Sequence, residues 1–233
     1  MQGKVVVITG ASSGLGKCLA EKLAKLGATL VLIALDEPKL EKLAKKLKCD
    51  FYSCNIGDLQ SVDETFSAIF KKYKRIDILI NNAGIWTEDS YEEKHPEMRF
   101  HAFETNVIGH INVTNFVLPY LKRKNSGIIA NVISTCGNVM LANAALWKTY
   151  SATKFAMVGY SNALRNDLAG TKIKVFRFFP GGFESNFYEE ARGAQAHNQP
   201  WMMKTEDVAD VMIFALTRPA DVYVEEIVVS KMQ

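Results

Sequence analysis

The sequence is poor in the features that tie a chain to nucleic acid, a membrane or an oxidising compartment. Its 28 basic and 25 acidic side chains leave a net charge of +3 over 233 residues. That excess is too small to hold a polyanion or an anionic bilayer. No apolar run approaches the roughly 20 residues that cross a bilayer. Met1-Gln2-Gly3-Lys4 leads straight into a short apolar run and a glycine turn, with no secretion signal. Cysteine is scarce, at Cys18, Cys49, Cys54 and Cys136 only, with no Cys-x-x-Cys pair and no Cys or His at zinc-ligand spacing. No metal site is therefore expected. Cys49 and Cys54 flank a short strand and are expected to stay thiols in a reducing compartment. These absences describe a cytoplasmic protein with neither nucleic acid nor membrane as partner. Repeats, low-complexity tracts and linkers are also missing, so residues 1–233 read as one domain.

What is present is an alternation. Val5-Val6-Val7-Ile8, Leu30-Val31-Leu32-Ile33, Ile78-Leu79-Ile80, Ile128-Ile129-Ala130-Asn131-Val132 and Ile173-Lys174-Val175-Phe176 are short apolar runs of the kind buried on both faces of a sheet, and residues 222–229 form the last. Between them lie helical patterns, among them 15–26, 38–47, 97–122 and 150–168. Strands and helices in turn predict an α/β fold, a doubly wound parallel sheet with helices on both faces. The least regular stretch, about 181–204, follows a strand, where such folds place substrate-contacting loops.

Thr9-Gly10-Ala11-Ser12-Ser13-Gly14-Leu15-Gly16 joins the first strand to the first helix. Glycines there allow positive φ and let the backbone approach a phosphate, and the helix start directs N–H groups and positive dipole to the same place. The first strand-to-helix turn of an alternating chain is the place for a dinucleotide. Tyr150 and Lys154 stand four apart in a helical segment and so share one face. An ammonium beside a phenol lowers the ordinary tyrosine pKa of about 10 and makes the pair a proton donor and acceptor. Taken singly, such a pair is more often packing plus a solvated charge. Ser134 ends the strand 128–133, where its hydroxyl can hold a substrate oxygen or simply serve the local backbone.

With Asn81-Asn82-Ala83-Gly84, Asn106, Ser134, Tyr150-x-x-x-Lys154 and Pro180-Gly181 following the turn in that order, the sequence resembles the short-chain dehydrogenase/reductase family over nearly its whole length. The resemblance implies a Rossmann-like three-layer α/β/α sandwich. It also implies a nicotinamide-dependent oxidoreductase acting on a small ketone or secondary alcohol. Tyr150 would be the acid and base, Ser134 the group that holds the substrate oxygen (Thr135 is its neighbour, but the family register favours Ser134), and Lys154 the charge partner. Asn106 would hold a relay water. Cofactor contacts are implied at Gly10, Ser12, Ser13, Gly14, Leu15, Gly16, Asn55, Ile56, Asn82, Ala83, Gly84, Pro180, Gly181 and Ser185, as well as Tyr150 and Lys154.

The cofactor is expected to be NAD or NADP, with a slight lean to NAD. Ala34 and Leu35 occupy the positions that usually decide, and Asp36 either faces the ribose, which favours NAD, or caps the next helix. Lys17 and Lys39 keep NADP open, and the short C-terminal tail resembles an NADP-using subset that acts on hydroxy acids. Phe183, Phe187, Tyr188, Trp201, Met202, Trp86 and Trp147 are expected around the substrate, and Glu184 or Arg192 would orient a charged one. Two long helices, 97–122 and 150–168, are apolar around much of their circumference. Val113 is read as facing a partner copy, so a homodimer or homotetramer is expected. The rival reading keeps the fold and drops turnover: an NAD(P) sensor or scaffold, which would not need the proton-transfer residues. A third, an epimerase or dehydratase, would show no net use of cofactor.

Overall fold

The computed structural model describes residues 1–138, 147–189 and 197–232. Strands β1 (Val5–Thr9), β2 (Thr29–Ala34), β3 (Asp50–Ser53), β4 (Ile78–Asn81), β5 (Gly127–Val132), β6 (Ile173–Pro180) and β7 (Glu226–Val229) form one sheet in the order β3-β2-β1-β4-β5-β6-β7, with every pairing parallel. The helices are α1 (Gly14–Lys25), α2 (Glu37–Leu47), α3 (Leu59–Tyr73), the short α4 (Asp89–Glu92), α5 (Met98–Phe103), α6 (His110–Lys124), α7 (Lys148–Asp167) and α8 (Thr205–Leu216). This is the expected Rossmann-like sandwich.

Strand side chains alternate between faces, and the apolar runs feed two cores. Val6, Ile8, Leu30 and Leu32 meet Leu19 and Leu23 of α1, Leu40 of α2 and Met212 of α8. Val5, Val7, Val31 and Ile33 meet Phe66 of α3, Val113 and Val117 of α6 and Leu164 of α7. Each such side chain contributes roughly 1.5–3 kcal/mol on burial.

Three sequence expectations change. The segment 97–122 is not one α-helix, because a π-helical turn, Glu104–Gly109, separates α5 from α6. Asn106 sits in that turn with its amide bonded to the main chain of Ile85. The last strand starts at Glu226, because Val222 closes a turn onto Pro219 and the Tyr223 hydroxyl bonds the main chain of Val175. Val113 is fully buried in the core. The apolar residues that do face outward are Phe100, Phe103 and Ile108, with Phe155 on α7.

Successive connections run one way from β1 to β3 and the other way from β4 to β7, so the loops leaving β1 and β4 diverge. The crevice at their carboxyl ends is where an open α/β sheet takes a ligand.

Candidate active site

A cavity of about 680 Å³ opens at that crevice. Its floor is the glycine turn. Gly10 and Gly14 have φ of +65° and +49°. A Cβ on Gly10 would stand 2.7 Å from the Ala83 Cα, and one on Gly16 would stand 2.3 Å from the Gly10 carbonyl oxygen. The turn closes only without those atoms. α1 then starts with no side-chain cap from Ser13 and no acidic residue in its first turn, which leaves its N–H groups and dipole to an anion. The cradle therefore fits a dinucleotide phosphate. Gly10, Ser12, Ser13, Gly14 and Leu15 line the cavity, whereas Gly16 lies behind the wall and acts by packing.

The loop after β4 is clamped to this floor. The Thr9 hydroxyl accepts the N–H groups of Asn82 and Ala83, each at 3.0 Å, and the Asn82 amide donates to the carbonyls of Thr9 and Gly10 at 2.9 and 3.2 Å. Asn82, Ala83 and Gly84 reach the cavity. Buried Asn81 instead ties β4 to Thr114 and Asn131 at 2.9 Å each.

Ser134, Tyr150 and Lys154 come together on one wall. Ser134 stands just beyond β5, and its oxygen accepts the Cys136 N–H at 3.2 Å. It thus serves the local backbone, and it lies close enough to the Tyr150 phenol to pull that group's pKa down. Tyr150 and Lys154 lie in the first two turns of α7, both buried. The Lys154 Nζ donates to the Val132 carbonyl at 3.3 Å and lies 5.4 Å from the Tyr150 ring centroid.

The electrostatics run against the sequence expectation of a lowered phenol pKa. Burial first, then the nearby Cys136 and Tyr188, push Tyr150 well above the usual tyrosine value, and only the Ser134 hydrogen bond pulls it down. Burial also pushes Lys154 down to about 8. Burial is the largest cause of both shifts, so Tyr150 is a neutral phenol at physiological pH, the form that can donate a proton.

Asn106 does not line the cavity. Its oxygen accepts the Ile85 N–H at 2.8 Å, and its nitrogen donates to the Ile85 carbonyl at 2.9 Å and the Thr153 hydroxyl at 3.2 Å. It therefore joins the β4 loop to α7, one residue before Lys154.

His110 was not anticipated, although it stands four residues after Asn106 on the same stretch of helix. It is fully buried, with Nε2 at 2.7 Å from the Ala83 carbonyl, and therefore donates there. Burial and the neighbouring Lys154 push its imidazole down to about 3, so it stays neutral.

The remaining positions divide. Pro180, Gly181, Ser185, Asn55 and Ile56 all line the cavity. The Asn55 oxygen already accepts the Gly57 N–H at 3.0 Å. Asp36 lines the cavity as the cap of α2, accepting the Lys39 N–H at 3.1 Å and pairing with its ammonium at 2.7 Å. Lys17 does not reach the wall, whereas Lys39, Ser230 and Lys231 do. Trp86, Trp147, Phe183, Phe187, Tyr188 and Trp201 line it as expected. Met202 is buried off the wall. Glu184 is held by His197, which also bonds Glu189 at 2.8 Å; the two carboxylates raise the imidazole pKa. Arg192 lies outside the described residues. All four cysteines are free.

Burying Lys154 has a predictable cost. Below about pH 8 the ammonium is charged in folded and unfolded chains alike, and the folded one bears the full desolvation penalty. Above 10.5 both are neutral and the penalty is gone. The fall from 10.5 to about 8 corresponds to ~3 kcal/mol, offset by ~1 kcal/mol for the bond to Val132. Lys154→Met is therefore expected to be more stable than the parent at pH 7. The difference should shrink as pH rises from 8 to 10.5, as read by urea denaturation across that range. Equal stability at pH 7 would contradict the desolvation argument.

Comparison with known proteins shows the family. The short chain dehydrogenase family profile matches residues 4–196. The NADP-dependent 3-hydroxy acid dehydrogenase of Schizosaccharomyces pombe is 31% identical, over 98% of this chain and 93% of its own length. The 3-oxoacyl-(acyl-carrier-protein) reductase of Thermotoga maritima is 34% identical, over 92% of this chain and 90% of its own. The crystal structure of an alcohol dehydrogenase from Thermococcus sibiricus, complexed with 5-hydroxy-NADP, superposes with a TM-score of 0.88 at 25% identity, covering 98% of this chain and 97% of that one. Seven parallel strands, a glycine cradle and a buried Tyr-Lys pair beside a strand-end serine are thus joined to sequence similarity along nearly the whole chain, which belongs to the short-chain dehydrogenase family of oxidoreductases.

Proposed function

We propose that this chain moves hydride between NAD(P) and a small-molecule ketone or secondary alcohol, with Tyr150 as general acid and base. The observation that carries the reading is the convergence of Ser134, Tyr150 and Lys154 on a cavity whose other end is the uncapped start of α1. When bound, the nicotinamide supplies or accepts the hydride. The chain's own groups do the rest. Gly10 to Leu15 hold the phosphates, Asn55, Ile56 and the Asn82–Gly84 stretch border the adenosine side, and Pro180, Gly181 and Ser185 border the nicotinamide. Ser134 donates to the substrate oxygen, and the neutral Tyr150 phenol gives that oxygen its proton in reduction. Lys154, charged below about pH 8, stabilises the phenolate left behind. Asn106 keeps α7 in register with the β4 loop, and its amide is engaged there and not with a relay water.

Tyr150→Phe keeps the ring and removes the only proton so placed. Turnover of a ketone panel, followed at the nicotinamide absorbance, should fall by at least about 10²-fold, with cofactor affinity changed only slightly. Retained turnover would remove Tyr150 from the chemistry. Cofactor binding without turnover of any ketone or alcohol by the parent would favour the sensor reading.

Of the two cofactors, the Asp36–Lys39 pair favours NADP. The Asp36 carboxylate is engaged as a helix cap and by Lys39, which holds its pKa below the usual range. It is therefore not a free acid of the kind that selects NAD, while Lys39 offers a cation on the cavity wall for a 2′-phosphate. Lys39→Ala should weaken NADP binding about tenfold and leave NAD nearly unchanged, by titration calorimetry. An equal effect on both cofactors would place selectivity elsewhere.

The reading extends to assembly. Phe100, Phe103, Ile108 and Phe155 form an exposed apolar face on the neighbouring segments α5, the π turn and α7, suited to a second copy of the chain in a homodimer or homotetramer. Ile108→Glu should lower the mass seen by light scattering while leaving the circular dichroism spectrum intact. A parent that is monomeric at micromolar concentration would end this proposal.

A further inference from the structure

All three tryptophans of the chain, Trp86, Trp147 and Trp201, line the one cavity that holds Tyr150. They belong to a continuous set of edge-to-face rings. Tyr150 meets Phe187 with centroids 6.0 Å apart, Phe187 meets Tyr188 at 5.6 Å, and Tyr188 meets Trp86 at 5.1 Å and Trp201 at 5.7 Å. Trp86 in turn meets Trp147 at 6.1 Å. The backbone makes room for this set. A Cβ on Gly182 would stand 2.1 Å from the Trp201 ring, so the indole closes directly onto the chain.

We infer that the substrate is an uncharged ketone or alcohol carrying an aromatic or alicyclic ring, held among these side chains while its oxygen lies at Ser134 and Tyr150. The inference rests on the hydride-transfer reading above and narrows it.

The reasoning is one of matching surfaces. An apolar ring loses little on leaving water, and in this set it gains edge-to-face contacts beyond the gain from area alone. A charged substrate gains less. Among the described residues, the charged side chains on the cavity wall are Asp36 and Lys39 at the glycine-turn end, the buried Lys154 and the exposed Lys231. A carboxylate held by a solvated lysine gains little, because water screens such a pair. A cationic substrate would meet Lys154 at the reacting centre. A small aliphatic ketone would reach Tyr150 but leave most of the rings without a contact.

The test compares three probes with the full chain: acetophenone for the ring, butanone for a small neutral ketone, and acetoacetate for an anion. Reduction is followed with both cofactors. The parent should prefer acetophenone over butanone by about tenfold or more in kcat/KM, and should prefer it over acetoacetate. Tyr188→Leu keeps an apolar side chain but removes the ring at the centre of the set. The acetophenone-to-butanone ratio should then collapse toward one, whereas a merely structural defect lowers both rates alike and keeps the ratio. Tryptophan fluorescence supplies a readout independent of turnover, since every indole lines the site. Acetophenone should quench it saturably in the presence of oxidised cofactor, more weakly in Tyr188→Leu.

A parent ratio near one, a preference for acetoacetate, or a ratio untouched by Tyr188→Leu overturns the inference while leaving hydride transfer standing. Saturable quenching sensitive to Tyr188→Leu, with no ketone reduced, keeps the ring site and overturns the hydride-transfer reading. Neither quenching nor turnover overturns both.

Discussion

The approach of Gly10 to Ala83, where a Cβ would come within 2.7 Å of the neighbouring backbone, is the constraint on which the site depends. It brings the ends of β1 and β4 together at the point where the strand order reverses. The Thr9 hydroxyl and Asn82 amide then lock them. From that junction, hydrogen bonds run through the molecule. The Ala83 carbonyl accepts a hydrogen bond from His110, the Ile85 carbonyl accepts one from the Asn106 amide, and Asn106 also donates to Thr153 on the helix that carries Tyr150 and Lys154. The glycine turn and the helix that carries Tyr150 and Lys154 are therefore two ends of one bonded frame.

That frame buries an ammonium and a phenol together, and the consequence is opposite to a simple picture of charge pairing. With Lys154 at 5.4 Å from the Tyr150 ring centroid, burial is the largest cause of both shifts and disfavours both charges. The lysine pKa falls to about 8 and the phenol pKa rises, so a neutral phenol stands beside a lysine that still carries charge near neutral pH. His110 contributes by remaining neutral, since a second cation beside Lys154 would depress the lysine further. Stability is given up for chemistry, as sites of this kind require.

Length scale separates what the sequence by itself determined from what the tertiary structure decided. Properties set within a few residues were legible: the doubly buried strands from their unbroken apolar runs, the phosphate turn from three glycines in the first strand-to-helix connection, and a shared face for Tyr150 and Lys154 from their spacing of four. Similarity along the whole chain supplied Ser134, which one serine beside one threonine did not settle. The short-range rules work there because φ, ψ and side-chain direction repeat with the helix and strand periods.

Wherever an outcome depends on which surface meets a neighbour, the one-dimensional pattern stops. Val113 looked like interface and is core, because a helix apolar on several sides does not say which side the sheet takes. Asn106 was expected within one helix, 97–122, and sits in a π turn with its amide bonded to the main chain of Ile85, 21 residues away. Asp36, read as either a ribose contact or a helix cap, is a cap bound to Lys39 at the cavity wall, and Met202 left the cavity for the core. Above all, the direction of the Tyr150 and Lys154 pKa shifts was set by burial, and burial is made only when the sheet, α7 and the loops close around both groups.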